Sequence, residues 1–493
     1  MTTSRRGFVK LGSAFMAAAG FGGAAEGANA PGTARLKIGI VSDVHITTPD
    51  STSNIRRAFT WFRDHGADGV LIAGDMADYG TVDQLELVAK TWYEVFPGDK
   101  APDGRHVEKL FVYGNHDVEA WLYPYVRKIH PNVDAKSPRT IAHDIAGTWK
   151  RVFHEDYAPI WIKDVKGYKF VGCHHPAPGT SGGCYSKTAV NDFLQAHKHE
   201  LLGAKPFFYT QHLHPQGTCS APWTWGQDPG YTTAALAKFP NCVAFSGHSH
   251  TPLRDERTIW QGAFTSVGTA SLRYLIPFGG RENSRVFAAP DSGREQMPAL
   301  PCADGQNALF MTVYDDRIVL ERRDALNDLP LGADWVIPLL ADGVNRTAFP
   351  FANRAPHAAV PQFAPGAAVT VTRGKGKSRL GKDVAQVTVS FPNIAAADQA
   401  DKAVRPFDYE VTVEAKECDF EKTWMVKRVY SPGFYRGAKK DAPTATCVFA
   451  ADELPRGNGH EPVARGRAFR FAVRPANCFG ALGQPIRSDW MVG

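Results

Sequence analysis

The 493-residue chain has no run of 18 or more consecutive apolar residues after its first thirty, so nothing downstream of them can cross a bilayer as a helix. Cysteine is scarce. The eight present (Cys173, Cys184, Cys219, Cys242, Cys302, Cys418, Cys447 and Cys478) form no Cys-x-x-Cys pair, which excludes a zinc knuckle and a disulfide framework. Net charge is only +6, and the one dense basic run, Arg373 to Arg379 with its interleaved glycines, reads as a solvated hairpin tip. A nucleic-acid partner, which calls for a concentrated basic patch, is therefore not expected. Repeats are absent too: 46 Gly and 34 Pro are dispersed through a chain that is 43% hydrophobic and 22% charged, which rules out collagen, coiled coil and wholesale disorder. At roughly 100–200 residues per domain, the length predicts two or three domains.

The first thirty residues read as an address. Ser4-Arg5-Arg6-Gly7-Phe8-Val9-Lys10 precedes a weakly hydrophobic Ala- and Gly-rich stretch from Leu11 to Ala25, and Ala28-Asn29-Ala30 supplies small residues for a peptidase. This resembles a twin-arginine export signal, with Val9 where that pattern usually has Leu. The resemblance implies a periplasmic or secreted protein, exported already folded and often with its metal inserted. Removing residues 1–30 takes away Arg5, Arg6, Lys10 and Glu26, so +6 becomes +4. An oxidising compartment would permit Cys173 to pair with Cys184, or Cys418 with Cys447 or Cys478; the sequence does not choose.

From Leu36 onward, short apolar runs alternate with amphipathic stretches. Strands are expected at 38–41, 69–73, 110–113, 206–209 and 243–245, each suited to burial on both faces. Thr81 to Phe96 carries Leu85, Val88, Ala89 and Trp92 at helical spacing, with Thr81 and Gln84 as a capping box. Ile55, Phe59 and Phe62 mark another helix, and Val190, Leu194 and Leu201 a third. This alternation predicts an α/β domain. After about residue 255 the texture changes to strands: 263–267, then 309–313 turning at Asp315-Asp316 into 318–320. Residues 277–306 read as a long loop. A Pro-rich stretch, 348–365, precedes alternating strands at 368–371, 387–391, 409–413 and 469–473, spaced as in a β-sandwich. The expected organisation is a leader over 1–30, an α/β domain over 31–345, a linker over 346–358 and an all-β sandwich domain over 359–493.

The polar residues at the expected strand ends carry the chemistry. Asp43-Val44-His45 follows the first strand, Gly74-Asp75-Met76-Ala77-Asp78 the second, Gly114-Asn115-His116-Asp117 the third, His212-Leu213-His214 the fourth and Gly247-His248-Ser249-His250 the fifth. Ligands collect at the carboxyl ends of strands in open α/β sheets, because the loops converge there. Each motif alone is weak, since Gly-Asp pairs are common turns. In this order on successive strand ends, the set resembles the calcineurin-like metallophosphoesterase superfamily over roughly residues 36–325, and implies its fold of two β-sheets flanked by helices.

The resemblance implies two divalent cations about 3.5–4 Å apart, bridged by Asp75. Asp43, His45 and His250 would complete one coordination shell, and Asn115, His212 and His248 the other. Mixed nitrogen and oxygen ligands suit Mn, Fe, Zn or Co. It also implies that a hydroxide shared by the metals attacks phosphorus while His116 serves the leaving group, oriented by Asp117 or Asp78; Asp78 reads equally well as a turn cap. His214 is either substrate-facing or structural, and Cys173-His174-His175-Pro176 reads as ordinary polar loop at the pocket rim. The glycines before Asp75, Asn115 and His248 are expected to let the backbone turn tightly.

Within the superfamily, purple acid phosphatases place a metal-binding Tyr three residues after the bridging Asp. Here that position is Asp78, and Tyr79 comes one later. The chain also lacks the Glu that usually follows the motif His in Ser/Thr protein phosphatases. The reading is a dinuclear-metal phosphodiesterase acting on small or lipid-linked phosphate esters. The alternatives are an exported phosphomonoesterase and a binding protein with a vestigial metal site. The sequence is silent on oligomeric state.

Overall fold

The computed structural model describes residues 32–178, 186–219, 226–276, 305–377, 381–394, 406–417, 420–431, 434, 443–451, 453–454 and 468–492. Residues Ala34–Gly493 form one compact unit. The export segment, Cys184, Cys302, Cys418 and nearly all of the expected 277–306 loop lie outside the described residues.

The first half contains strands β1 (Leu36–Val41), β2 (Gly69–Ala73), β3 (Glu108–Val112), β4 (Ile160–Val165), β5 (Tyr168–Cys173), β6 (Phe207–Thr210), β7 (Cys242–Ser246), β8 (Ile259–Gln261) and β9 (Thr265–Gly268). After them come β10 (Asn307–Val313), β11 (Arg317–Asp324), β12 (Leu329–Pro330), β13 (Trp335–Leu340) and β14 (Gly343–Val344). One sheet runs β14-β13-β11-β10-β1-β2-β3, with β12 on β11; the other runs β4-β5-β6-β7-β9-β8. In the first, β1, β2 and β3 are parallel and β10 is antiparallel to β1. In the second, β5, β6, β7 and β9 are parallel.

Residue alternation explains the layering. On β2, Leu71 and Ala73 enter a core shared with Phe170, Phe208, Val243 and Phe245 of the second sheet, while Val70 and Ile72 face helices on the other side. A strand covered on both faces must be apolar throughout, and Gly69–Ala73 is. The outer helices of the first sheet are α1 (Ser53–Asp64), α2 (Val82–Val95) and, after the short α3 (Asn115–Glu119) and α4 (Pro124–Ile129), α5 (Ile145–Phe153). Ile55, Ala58, Phe59 and Phe62 form the buried stripe of α1. The second sheet is covered by α6 (Ala189–Ala196), α7 (Lys198–Leu201) and α8 (Tyr231–Leu236). The expected capping box on α2 does not form: Gln84 Oε1 instead accepts from the Tyr79 backbone N–H at 2.8 Å.

Beyond a short helix, α9 (Phe351–Arg354), lie β15 (Thr370–Lys377), β16 (Asp383–Pro392), β17 (Asp408–Glu417), β18 (Phe420–Tyr430), β19 (Thr444–Ala450), β20 (Ala468–Ala476), β21 (Ile486–Arg487) and β22 (Met491–Val492). They make two antiparallel sheets, β15-β16-β19 and β18-β17-β20-β21, with β22 paired to β20. Val389, Phe391, Tyr409, Val411, Phe449, Phe471 and Val473 interleave between them. The fold is thus an α/β metallophosphoesterase-type sandwich with an added all-β sandwich whose strands do not extend the first domain's sheets. Of the basic run, Arg373 to Lys377 lie in β15, with Arg373 paired opposite Val387, and lead toward the β15–β16 connection; its last residues lie outside the described residues. Phe407, Tyr430, Phe434 and Phe479 of the β-sandwich join Trp335 and Phe349 in the core between the first two sheets. Glu256 reinforces this junction: it accepts from Arg322 Nη1 at 2.6 Å and Trp335 Nε1 at 3.0 Å, and is also paired with Arg354 of α9. No helix among the described residues is long and apolar enough to cross a membrane.

Candidate metal centre

Asp43, Asp75, His212 and His248 lie at the carboxyl ends of β1, β2, β6 and β7, or one or two residues beyond, and Asn115 opens α3 three residues past β3. Parallel strands in two facing sheets therefore bring these side chains together. Two separate clusters result, Asp43 with His45 and His250, and Asp75 with His212 and His248; a third grouping, His45 with Asp78 and His116, overlaps the first. His250 Nε2 is 3.0 Å from Asp43 Oδ1, and His212 Nε2 is 3.1 Å from Asp75 Oδ2. The same Asp75 oxygen is 3.7 Å from His45 Nε2, so one oxygen lies between the clusters. Asp75 Oδ1 is engaged elsewhere, accepting from the His116 backbone N–H at 2.9 Å.

The backbone is bent to achieve this. Asp43, His45, Asp75, His248 and His250 all have φ between 48° and 70°, the left-handed region that non-glycine residues avoid. Such strain costs of order 1–3 kcal/mol per residue and persists where surrounding structure enforces it. The glycines serve two different purposes. Gly74 has φ 92° and makes the turn expected of it, whereas Gly114 has an ordinary extended backbone. Gly114 and Gly247 are small because a Cβ on either would overlap a carboxylate oxygen, of Asp75 and Asp43 respectively.

Hydrogen bonds to the far nitrogens set the imidazoles. His212 Nδ1 donates to the Ala73 carbonyl at 2.8 Å and His250 Nδ1 to the Tyr274 carbonyl at 2.7 Å. His45 Nδ1 donates to Asp78 Oδ1 at 2.8 Å. Each Nε2 is thereby left as the inward-facing donor atom. His45 Nε2 and His250 Nε2 are only 3.3 Å apart, and His212 Nε2 is 3.1 Å from His248 Nδ1. Imidazole nitrogens at that range, next to carboxylates, are satisfied by a proton or a cation between them. Burial would lower the pKa of His45, yet Asp43, Asp78 and Asp75 raise it to about 10; His212 is likewise raised to about 9, by Asp75 first. Despite its own burial, Asp75 is held well below the carboxylate range by His212, His116 and His45. Asn115 Oδ1 is buried with no hydrogen-bond partner among the described residues, while its Nδ2 donates to Tyr123 Oη at 2.6 Å. An orphaned amide oxygen beside imidazole and carboxylate donors fits a transition-metal pair.

His116 donates Nδ1–H to the Asp78 carbonyl at 2.8 Å, leaving Nε2 for another partner. Asp117 takes no part in orienting it. Its two oxygens accept from the backbone N–H groups of Ala77 and Gly114, both at 2.7 Å, and burial next to Asp75 raises it to about 7. His214 is structural: it is buried, with Nδ1 2.7 Å from Ser246 Oγ and Nε2 2.6 Å from Ser249 Oγ. Burial lowers it to about 4, so it stays neutral.

A cavity of about 390 Å3 opens over the clusters, lined among others by Asp75, Asn115, His116, His248 and His250. Glu119, Tyr123, Tyr274 and Ile276 also line it and were not nominated from sequence, and so does His175, which reads in the sequence only as part of the pocket rim. The run Tyr168–Cys173 is buried except at Lys169, and β5 pairs parallel with β6, so His174-His175 follows another strand end. The His175 Nε2 is 3.5 Å from a Glu119 oxygen and its ring centroid 6.5 Å from that of His212. Tyr123 and Tyr274 belong to connections whose sequence carries no signal of where they fold. Tyr79 is absent from the described lining; its ring packs 4.9 Å from His130.

Two mixed sheets between helices, with carboxylates and imidazoles in paired clusters at the strand ends, define a metallohydrolase of the two-cation class. Residues 36–252, the stretch that holds the site, match the family model described as Calcineurin-like phosphoesterase; the protein is a phosphoesterase. No match was found among curated proteins. Among solved structures, a dimetal phosphatase from Danio rerio is 12% identical, covering 62% of this chain and 100% of its own, with a TM-score of 0.37. A purple acid phosphatase from yellow lupin (Lupinus luteus) seeds is 12% identical over 61% of this chain and 53% of its own, at 0.38. The inner-membrane-complex anchor GAP50 of Plasmodium is 11% identical over 64% and 92%, at 0.36.

Proposed function

We propose that the protein is an exported, dinuclear-metal phosphodiesterase. Asp43, His45 and His250 would hold one cation, Asn115, His212 and His248 the other, and Asp75 both. When bound, such a pair polarises phosphoryl oxygens and supplies a nucleophile near neutral pH. The protein's own part is to place and insulate: the Asp78 carbonyl fixes the His116 ring so that Nε2 can exchange a proton with the leaving oxygen, and Asp78 Oδ1 steadies His45.

The preference for a diester rests on one observation. The described lining of the cavity contains no Arg or Lys, and the Glu119 carboxylate lies within it. A monoester dianion carries one more negative charge than a diester and gains more from a guanidinium clamp. A singly charged diester with two organic arms better suits a chamber that lacks cationic side chains in its described lining and is walled by Tyr123 and Tyr274. Export rests on the Arg5-Arg6 segment and the small residues near Ala30.

The test is hydrolysis of bis-nitrophenyl phosphate against nitrophenyl phosphate by metal-loaded protein, before and after chelation. The expected outcome is chelator-sensitive cleavage with the diester preferred. A preference for the monoester would replace this reading with a phosphatase, and full metal occupancy without cleavage of either would favour a binding protein. Fractionation of cells expressing the chain with Arg5→Lys and Arg6→Lys tests export.

A further inference from the structure

The segment that follows Asn115-His116 leaves the catalytic cavity and turns outward, and its composition is unusual for a surface. Ten large hydrophobic side chains are exposed among the described residues, and three of them, Leu122, Tyr125 and Ile129, fall within eight positions of one another here. Ile129 is the most exposed of all, at 54%. In α4, Val126 alone is buried; Pro124, Tyr125, Arg127, Lys128 and Ile129 are all exposed, with Tyr125 and Ile129 one helical turn apart on one face. Scattered single apolar residues need no explanation, but a cluster beside a site does.

Two further observations indicate what covers it. The first is continuity with the cavity: Tyr123 lines the chamber, and Tyr125 Oη lies 3.4 Å from His116 Nδ1, so the apolar surface begins at the candidate leaving-group residue. Ile276 and Leu213 give the chamber an apolar wall as well. The second is charge. Between Trp121 and Thr140 stand Arg127, Lys128, Lys136 and Arg139, all exposed, against Asp134 alone, a surplus of three positive charges in a chain whose total is +6. Exposed Leu, Tyr and Ile flanked by Lys and Arg form the pattern of an element that lies in a membrane interface, with the apolar side chains among acyl chains and the cations at anionic headgroups.

We propose that the Leu122–Ile129 rim docks the protein on an anionic lipid surface and that its substrate class is a lipid-linked phosphodiester, whose apolar arm leaves the cavity along this rim. The inference rests on the phosphodiesterase reading above and names the substrate class for that same site. The rim's basic groups stand outside the chamber, where they meet headgroups without competing for the scissile phosphate.

The experiment uses the metal-loaded full chain and vesicles of phosphatidylcholine alone or mixed equally with phosphatidylglycerol, a lipid phosphodiester. Co-sedimentation is expected with the mixed vesicles and not with phosphatidylcholine alone, and it should weaken as salt is raised. Ile129→Glu, and separately Arg127→Glu with Lys128→Glu, alter exposed positions outside the site. Each is expected to reduce vesicle binding and phosphatidylglycerol hydrolysis by about tenfold or more, with bis-nitrophenyl phosphate hydrolysis unchanged. Absence of wild-type binding to the mixed vesicles, or binding by both variants at the wild-type level, would overturn the docking surface even with the soluble diester still cleaved. Failure to cleave the soluble diester by protein that does bind vesicles would instead overturn the phosphodiesterase reading. Binding equal on both vesicle types would overturn the assignment of an anionic surface.

Discussion

Asn115 donates its side-chain N–H to Tyr123 Oη at 2.6 Å, and that hydroxyl donates in turn to Glu119 Oε1 at 2.9 Å. The chain of bonds settles which way the amide faces: nitrogen toward the tyrosine, oxygen left over. Glu119 is itself held below its ordinary pKa, against burial, by His175 and by Tyr123, so it remains an acceptor at neutral pH.

Tyr123→Phe removes this acceptor with little change of shape. Loss of a partner that orients a metal ligand typically costs about 10–100-fold in affinity or activity. The expected outcome is that one of two equivalents of Mn or Zn binds more weakly in calorimetry while the other is unaffected. Equal weakening of both would mean that Asn115 does not belong to one cation alone.

Asp75→Asn and His116→Ala should separate holding from turnover. Asp75 Oδ2 faces both clusters, so its loss is expected to abolish metal binding at both positions. His116→Ala should retain two metals by plasma mass spectrometry and lose turnover by about 100-fold or more, with the larger loss on diesters of poor leaving groups. Full activity of His116→Ala on an alkyl ester would remove it from that role.

Glu256 stands between Arg322 and Arg354 and tethers α9 to β11. Removing one partner leaves the others as uncompensated charge, and Glu256→Ala is expected to lower stability by about 3 kcal/mol. This would be read as a fall of several degrees in Tm with metal stoichiometry unchanged. An unaltered Tm would show that solvent screens this pair.

Stability should fall in mild acid through His174. Its Nδ1 accepts from the Tyr113 backbone N–H at 3.0 Å, and burial, with Lys163 nearby, lowers its pKa from 6.5 to about 3. The unfolded chain therefore binds a proton that the folded one refuses, so stability rises with pH between about 3 and 6.5 and is flat for this group above that. Going from pH 7 to 4.5 costs about 3 kcal/mol for this one residue at 1.36 kcal/mol per unit. His174→Asn, which offers an acceptor but cannot take a proton, should be less stable at pH 7 yet lose less between the two pH values in urea titrations. An equal loss in both proteins would show that other groups govern the acid limb.

Local pattern made most of the α/β frame legible. Runs such as Gly69–Ala73 could only be strands covered on both faces, and the polar residues closing five such runs marked where a site would gather. Of the sandwich strands, β15, β16, β17 and β20 were readable from alternation while β18 and β19 were not; in the first half β4 and β5 were missed because Trp161, Lys163 and Lys169 dilute their apolar signal, and β8 because it is only three residues long. The Thr81–Gln84 box matched a local rule that a nearby backbone amide, that of Tyr79, displaced.

What the sequence alone determined was therefore the chemistry available and the strand ends that carry it, because both depend on residue type and short-range periodicity. Which atoms meet was decided by tertiary structure. Packing two sheets face to face turned Asp75 Oδ2 between the clusters and buried His214 between two serines. It also brought Tyr123, His175 and Tyr274 from separate loops to one cavity, and it left Leu122, Tyr125 and Ile129 uncovered at the mouth. Those outcomes depend on long-range register and on which surfaces remain after the cores are filled, and neither quantity is written in any local stretch of the chain.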